Sequence, residues 1–136
     1  IMEHCRLPNQ MSPARAASWI RIKSELGEDA VLQACALAYA SDDFPTEAAR
    51  ISHPIRPASD GEDDRFVGAS LDHAIWFHRP GRSDEWALHD FRGLGLSNAR
   101  GLSIGHVFDR QGVHMATVAQ EILMRKRTPD FHAKEN

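Results

Sequence analysis

The stretch ASLDHAIWFHRP, residues 69 to 80, combines an acid, a hydroxyl group, two histidines and two aromatic residues. If it is a strand, alternation places Ser70, Asp72 and His78 on one face and His73 on the other. An acid beside a histidine is a candidate reactive pair, but hydrogen-bonded residues on a half-exposed strand explain Asp72 and His73 more simply. Zinc is not favoured, because no Cys or His pair elsewhere completes a recognised ligand spacing.

The segment LAYASD ends in a carboxylate, Asp42, at the predicted C-terminus of a helix. The negative end of the helix dipole disfavours a negative charge there, at a cost on the order of several tenths of a kcal/mol for an exposed group. A carboxylate in such a place holds a proton better and is a stronger base. Asp42 is therefore a candidate general base, with an ordinary solvent-facing aspartate as the alternative.

Gln120 belongs to the run ATVAQEILMR, residues 116 to 125. On a strand it shares a face with Ala116, Val118 and Ile122, which are all apolar. An amide on that face would lose roughly 1–3 kcal/mol if its donors and acceptors stayed unsatisfied. A structural hydrogen bond, a bound water or a ligand would each satisfy it.

Residues 28 to 40, EDAVLQACALAYA, predict the helix that leads to Asp42. Two acids suit a helix N-terminus, and neither Gly nor Pro interrupts the residues that follow. Alanines and larger apolar residues cover every face, which predicts a helix enclosed by a closely approaching sheet. Cys35 in this segment is expected to be a small buried hydrophobic residue.

Most of the remaining chain has the pattern of strands separated by turns. Residues 43–66, rich in proline and acids, predict a long surface excursion, and Asp109 to Gly112 predicts a hairpin turn. We expect a lead-in or linker at 1–14, one domain at 15–127 and a tail at 128–136. The predicted strands are 15–23, 66–78, 84–94, 100–109 and 112–125, mostly antiparallel and curled around the one helix.

Length and composition limit the class of protein. A chain of 136 residues fits one domain that buries roughly two-thirds of its unfolded surface. With 42% hydrophobic residues, 26% charged residues and a net charge of −3, the composition is that of a soluble globular protein, without the basic surface of a nucleic-acid binder. Two cysteines are too few for a disulfide framework. The start at Ile1 rather than Met is expected of a fragment of a longer polypeptide.

The chain resembles the acyl-CoA thioesterase II family through several motifs that occur in the same order. They are LAYASD, SLDHAIWFHRP followed by DEWAL, an ARG step, and VAQE. The resemblance runs from about Trp19 to Arg127, and its specificity comes from several motifs occurring together. It covers the C-terminal half of an enzyme whose chain carries two hotdog domains in tandem. The resemblance therefore implies an α+β hotdog fold, with an antiparallel sheet wrapped around one central helix.

Members of that family hydrolyse fatty acyl-CoA thioesters to free fatty acid and CoA. They hold the attacking water with an Asp, a Thr or Ser, and a Gln, and their motifs match Asp42, Ser70 and Gln120 here. The resemblance thus implies these three catalytic residues, and we expect neither a cofactor nor a metal. Asp72 belongs to the matching signature in a supporting role.

Three positions depart from the family pattern. Asp43 follows the matched acid where an aromatic or aliphatic residue is usual. Gly81 stands where an aromatic often follows His-Arg-Pro, and Ile122 stands where Gly often follows Gln-Glu. These differences leave the three water-holding residues in place and bear instead on the acyl-chain preference and the shape of the acyl tunnel.

The implied mechanism is water attack, with Asp42 as general base and Ser70 and Gln120 orienting the water. Formation of an anhydride by Asp42 is the less favoured route, and a Ser70 nucleophile has no suitable His implied at its side. The alternative function is a non-catalytic acyl-CoA-binding or assembly hotdog domain. A hydratase would need an Asp and His pair at the helix start, where Glu28 and Asp29 come without a His.

A single hotdog leaves a sheet edge and an open end of its helix uncovered, and such surfaces are uncommon on soluble monomers. The expected partners are acyl-CoA as substrate and either an N-terminal hotdog half or a second copy, in a double-hotdog or homo-oligomeric assembly. Neither nucleic acid nor a membrane span is expected. We expect a cytoplasmic setting, because the chain shows no signal-peptide pattern and no C-terminal peroxisomal tripeptide.

Overall fold

In the described part of the chain, seven antiparallel strands form one sheet, and two helices pack against one of its faces. The computed structural model describes residues 2–6, 14–51 and 66–126. Its elements are β1 (Met2–Arg6), β2 (Arg15–Ile22), α1 (Ala30–Ser41), α2 (Pro45–Ile51), β3 (Phe66–Ser70), β4 (Ala74–Phe77), β5 (Ala87–Ser97), β6 (Arg100–Phe108) and β7 (His114–Lys126). The strand order is β1–β2–β5–β6–β7–β3, and β4 also pairs with β7.

The core lies between the sheet and the two helices. Ile20 of β2, Phe91 of β5 and Val118 of β7 are buried there with Ala40 of α1 and Ala48 of α2. Burying a large apolar side chain contributes about 1.5–3 kcal/mol, so this layer is a main source of stability. A curled antiparallel sheet around a central helix is the hotdog fold, and the expected fold is confirmed.

α1 begins where its sequence provides a cap. The Asp29 carboxylate accepts hydrogen bonds from the N–H groups of Val31 and Leu32, at 2.9 and 3.2 Å. These donors have no partner inside the helix, and such a cap is worth about 1 kcal/mol. At the other end, the Asp42 N–H bonds to the Tyr39 carbonyl and closes the last turn. Neither α1 nor α2, the helices of the described residues, is long and apolar enough to cross a membrane.

The sheet covers only one side of α1. Leu37 and Ala40 are buried against it, whereas Val31 and Tyr39 are 72% and 70% exposed. The predicted enclosure on every face is therefore wrong for this chain, and so is the predicted burial of Cys35, which is exposed. The physical reason is geometric, because one curled sheet contacts a helix along one stripe and leaves the opposite apolar stripe open.

α2 replaces part of the predicted surface excursion. Residues Pro45 to Ile51 form a short helix whose Pro45, Ala48 and Ala49 are buried, so the prediction of an exposed excursion is wrong for this segment. Proline suits the first turn of a helix, and alanine allows close packing. An added Cβ at Gly93 of β5 would lie 2.5 Å from the Ala48 carbonyl oxygen, which shows how closely α2 approaches the sheet.

The beginning of the chain also differs from expectation. Residues 1–14, predicted as a lead-in, contain β1, which pairs with β2 from Met2 opposite Ile22 to Arg6 opposite Ser18. The segment has no apolar period of its own, so only its pairing with β2 makes it a strand. The rest of the predicted excursion, 52–65, and the predicted tail, 128–136, lie outside the described residues.

Candidate active site

β3 and β4 are two parts of one interrupted strand along β7, and the interruption decides which side chains meet. Ser70 pairs with Ile122 and Ala74 pairs with Ala119, so this strand advances four residues while β7 advances three. The extra residue is a β-bulge, which reverses the alternation of side chains. Ser70 and His73 both contact the Gln120 side chain as a result, and their predicted separation onto opposite faces is wrong.

Asp42 lies at the C-terminal end of α1, beside the bulged strand. Its side chain is 55% exposed, so the carboxylate is accessible to water and to a substrate. The Ser70 hydroxyl donates to Asp42 Oδ1 at 3.3 Å. The bulge therefore brings a hydroxyl group from the sheet to the carboxylate at the helix end.

Gln120 is fully buried on β7 and connects to the same group of side chains. Its Nε2 donates to Ser70 Oγ at 2.5 Å, and its Oε1 lies 2.5 Å from His73 Nδ1. These contacts satisfy an amide on an otherwise apolar face, as its burial requires. The structure thus brings together the three predicted site residues, Asp42, Ser70 and Gln120, in one hydrogen-bonded chain.

His73 is the member of this site that sequence reasoning missed. Its Nε2 lies 2.9 Å from Ser41 Oγ, its Nδ1 contacts Gln120, and the same Nδ1 is 3.7 Å from Asp42 Oδ1. The preceding Asp72 accepts a hydrogen bond from the Glu121 N–H at 2.7 Å and so ties the bulge to β7. The sequence contains one signal of the bulge that brings His73 into the site, which is the acid directly before the histidine in SLDH. An aspartate can satisfy the N–H groups that a bulge leaves unpaired.

The site opens into a pocket of about 370 Å³. Asp42, Ser70 and His73 line it on one side, and Tyr39 and Leu71 contribute apolar surface. A carboxylate, a hydroxyl and an amide linked in this way can orient a water molecule and accept its proton. Among residues 2–6, 14–51 and 66–126, no group of three or more His, Cys, Asp or Glu side chains is arranged to hold a metal ion.

Comparison with known proteins assigns the family. The acyl-CoA thioesterase family model matches residues 5–123. The chain belongs to the acyl-CoA thioesterase family. It is 35% identical over 118 residues to acyl-CoA thioesterase 2 of Haemophilus influenzae, and 35% identical over 108 residues to acyl-coenzyme A thioesterase 8 of Mus musculus.

A solved structure agrees with this membership. An acyl-CoA thioesterase II from Mycobacterium marinum matches with a TM-score of 0.77 and 33% identity over 93% of this chain. The matched part is 50% of the Mycobacterium chain, 38% of the Haemophilus protein and 32% of the mouse protein. The chain therefore spans half or less of the length of these relatives.

Proposed function

We propose that this chain supplies the active site of an acyl-CoA thioesterase, which hydrolyses fatty acyl-CoA to free fatty acid and CoA. The observation that carries the proposal is the hydrogen-bonded chain from Asp42 through Ser70 to Gln120 beside an open pocket. Family membership supports it, because the named relatives in Haemophilus influenzae and Mus musculus are acyl-CoA thioesterases.

In this mechanism Asp42 acts as general base. It takes a proton from water while the water oxygen bonds to the thioester carbonyl carbon. The carbon–sulfur bond then breaks, and the proton held by Asp42 passes to the sulfur of CoA. General base catalysis of this kind typically contributes ~10²–10⁴-fold, and a thioester carbonyl is electrophilic enough that a covalent nucleophile is not obligatory.

Ser70 and Gln120 orient the water. The Ser70 hydroxyl accepts from the Gln120 amide and donates to Asp42, so its position is fixed from two sides. Gln120 is itself immobilised by complete burial on β7. Polar groups held in place before the substrate arrives reduce the entropy that must be lost in reaching the transition state.

We also propose that a second hotdog domain, either an N-terminal half of the same polypeptide or a second copy of this chain, covers the open side of α1. Val31, Tyr39, Trp76 and Phe77 expose apolar surface along α1 and β4. Within the described residues, β4 pairs with β7 on one edge only. Large apolar patches and free strand edges are uncommon on soluble monomers. The acyl-CoA would then lie along the interface between the two domains.

The test is release of the CoA thiol from a series of saturated acyl-CoA thioesters of increasing chain length, measured on the assembled protein. We expect saturable hydrolysis whose rate depends on chain length. Binding of acyl-CoA without release of CoA would contradict catalysis and support the alternative, a non-catalytic acyl-CoA-binding hotdog domain. If the protein neither binds acyl-CoA nor releases CoA from it, both functions are contradicted.

A further inference from the structure

We infer that His73 is a positioning residue that fixes the orientation of the Gln120 amide, an inference that rests on the thioesterase function proposed for this site. Its Nδ1 lies 2.5 Å from Gln120 Oε1, and its Nε2 lies 2.9 Å from Ser41 Oγ. The side chain is 22% exposed. The imidazole is therefore held at both nitrogens, between the end of α1 and the middle of β7.

The chemistry of the partners determines where the proton of His73 lies. An amide oxygen only accepts hydrogen bonds, so the proton between Gln120 Oε1 and His73 must be on Nδ1. In neutral His73, Nε2 is then an acceptor, and the Ser41 hydroxyl, which donates to the Ala38 carbonyl oxygen at 2.9 Å, pairs with Nε2 only when it turns its proton away from Ala38. The geometry thus points to the Nδ1–H tautomer of His73, because Nδ1 faces the amide oxygen of Gln120.

Ser41 can keep this arrangement in both charge states of the ring. Its Oγ lies 2.9 Å from His73 Nε2 and also 2.9 Å from the Ala38 carbonyl oxygen. If His73 takes a second proton, the hydroxyl can accept from Nε2–H and donate to Ala38 instead. The Nδ1 proton stays directed at Gln120 in either state.

The consequence for the site is a fixed direction of hydrogen bonding. Because Oε1 faces His73, the Nε2 of Gln120 faces Ser70 and donates to its hydroxyl. Ser70 then directs its own proton to Asp42. His73 thus donates to Gln120, Gln120 donates to Ser70, and Ser70 donates to Asp42, the proposed base. The opposite amide orientation would turn an oxygen toward Ser70 and draw the Ser70 proton away from Asp42.

The distances favour positioning over a direct pair between His73 and the base. His73 Nδ1 is 2.5 Å from Gln120 Oε1 but 3.7 Å from Asp42 Oδ1, which is beyond hydrogen-bond reach. The bulge explains how a histidine three residues after Ser70 can reach the same amide as Ser70 itself. His73 therefore acts on the reaction through Gln120.

Two matched substitutions test this role in the assembled enzyme. In His73→Asn the side-chain NH₂ takes the place of Nδ1, whereas in His73→Gln it takes the place of Nε2. We expect His73→Asn to retain most of the kcat that His73→Gln loses, because its NH₂ group can still donate to Gln120 Oε1. His73→Gln should lose ~10²-fold in kcat with little change in KM, as expected when a catalytic group is misplaced. Equal losses in both variants, or full activity in both, would overturn the inference.

A second measurement does not depend on turnover or on variants that fold. Long-range proton–nitrogen NMR of the unmodified protein without substrate reports which nitrogen of His73 carries the proton. We expect Nδ1–H in neutral His73, and an Nε2–H tautomer would overturn the inference. If the protein shows the Nδ1–H tautomer but does not hydrolyse acyl-CoA, the proposed function fails while the arrangement of His73 stands.

Discussion

At the scale of single residues, Ser70 has two hydrogen-bonding roles in one small side chain, since it accepts from Gln120 and donates to Asp42. Ser70→Ala should lower kcat by roughly 10- to 100-fold, because a hydrogen bond to a charged group contributes roughly 1.5–3 kcal/mol. Ser70→Ala also leaves the amide of the fully buried Gln120 without its acceptor, so the free energy of unfolding should fall by roughly 1–3 kcal/mol. Steady-state hydrolysis and denaturant unfolding measure the two effects.

Ser70→Thr is the matched control, because it keeps the hydroxyl at the same position. It should keep most of the activity that Ser70→Ala loses. Equal rates for the alanine variant and the unmodified protein would remove Ser70 from the mechanism.

His106 provides a prediction about pH at the same scale. It lies on β6, and partial burial is the main cause that lowers its pKa from the ordinary 6.5, followed by the charge of His114. Asp90 acts in the opposite direction, and Arg92 and His78 add to the lowering.

A histidine with a lowered pKa binds fewer protons in the folded than in the unfolded chain, so its contribution to stability is lost as the pH falls. We expect the thermal midpoint to drop between about pH 7.5 and about pH 5.5, and to drop less in His106→Gln. The same slope in both proteins would show that other groups cause the acid sensitivity.

Residue types predicted part of the site. Asp42, Ser70 and Gln120 were identified through motifs, and their proximity in the structure agrees with a shared role, although their catalytic assignment stays a prediction. His73 was missed because strand alternation placed it on the wrong face. One extra residue in the bulge reverses that alternation, and alternation alone cannot reveal a bulge.

At the scale of elements, α2 and the sheet are in unusually close contact. A Cβ at Gly93 would lie 2.5 Å from the Ala48 carbonyl oxygen, and backbone atoms cannot move aside as a flexible side chain can. Gly93→Ala should therefore lower the free energy of unfolding by about 1–3 kcal/mol, as measured by denaturant titration.

Gly95→Ala is the control on the same strand, since its Cβ would meet no atom within 4 Å. It should be neutral or slightly stabilising, because alanine restricts the unfolded chain more than glycine does. A similar loss of stability in both variants would show that alanine destabilises β5 itself and that the close packing of α2 is not the cause.

The long elements were predictable and the short ones were not. Residues 28–40 matched α1, and 100–109 and 112–125 matched β6 and β7 within a few residues. The predicted turn at Asp109 is confirmed by the hydrogen bond from the Gly112 N–H to the Asp109 carbonyl. β1 and α2 were missed because segments of 5 and 7 residues are too short to show a period.

At the scale of the whole molecule, the apolar surface of α1 is the basis of the proposed double-hotdog assembly. The sequence of α1 is apolar on every face, yet the sheet covers one side, and the open stripe is the surface on which we propose that another hotdog domain packs. Sequence reasoning predicted the wrapping sheet from this pattern. The sequence could not show which apolar residues of α1 contact the sheet and which lie on its open side, because an apolar residue has the same sequence signature in either place.

The assembly can be tested by sedimentation. Val31→Lys places a charge on the open side of α1 and should weaken association with the second hotdog domain, because burying an unpaired charge is costly. Leu94→Lys, at a residue that is 57% exposed on β5, is the matched control and should leave association unchanged. A stable and active monomer of the unmodified 136-residue chain would contradict the double-hotdog assembly.

The most direct test of the proposed mechanism compares two neighbouring acids. Asp42→Asn keeps the size of the side chain but removes the proposed base, whereas Asp43→Asn makes the same change one residue later. In the assembled enzyme we expect Asp42→Asn to lower the rate of acyl-CoA hydrolysis by at least ~10²-fold with thermal stability retained, and Asp43→Asn to have little effect. An unchanged rate in Asp42→Asn would contradict the account and assign the base to another residue.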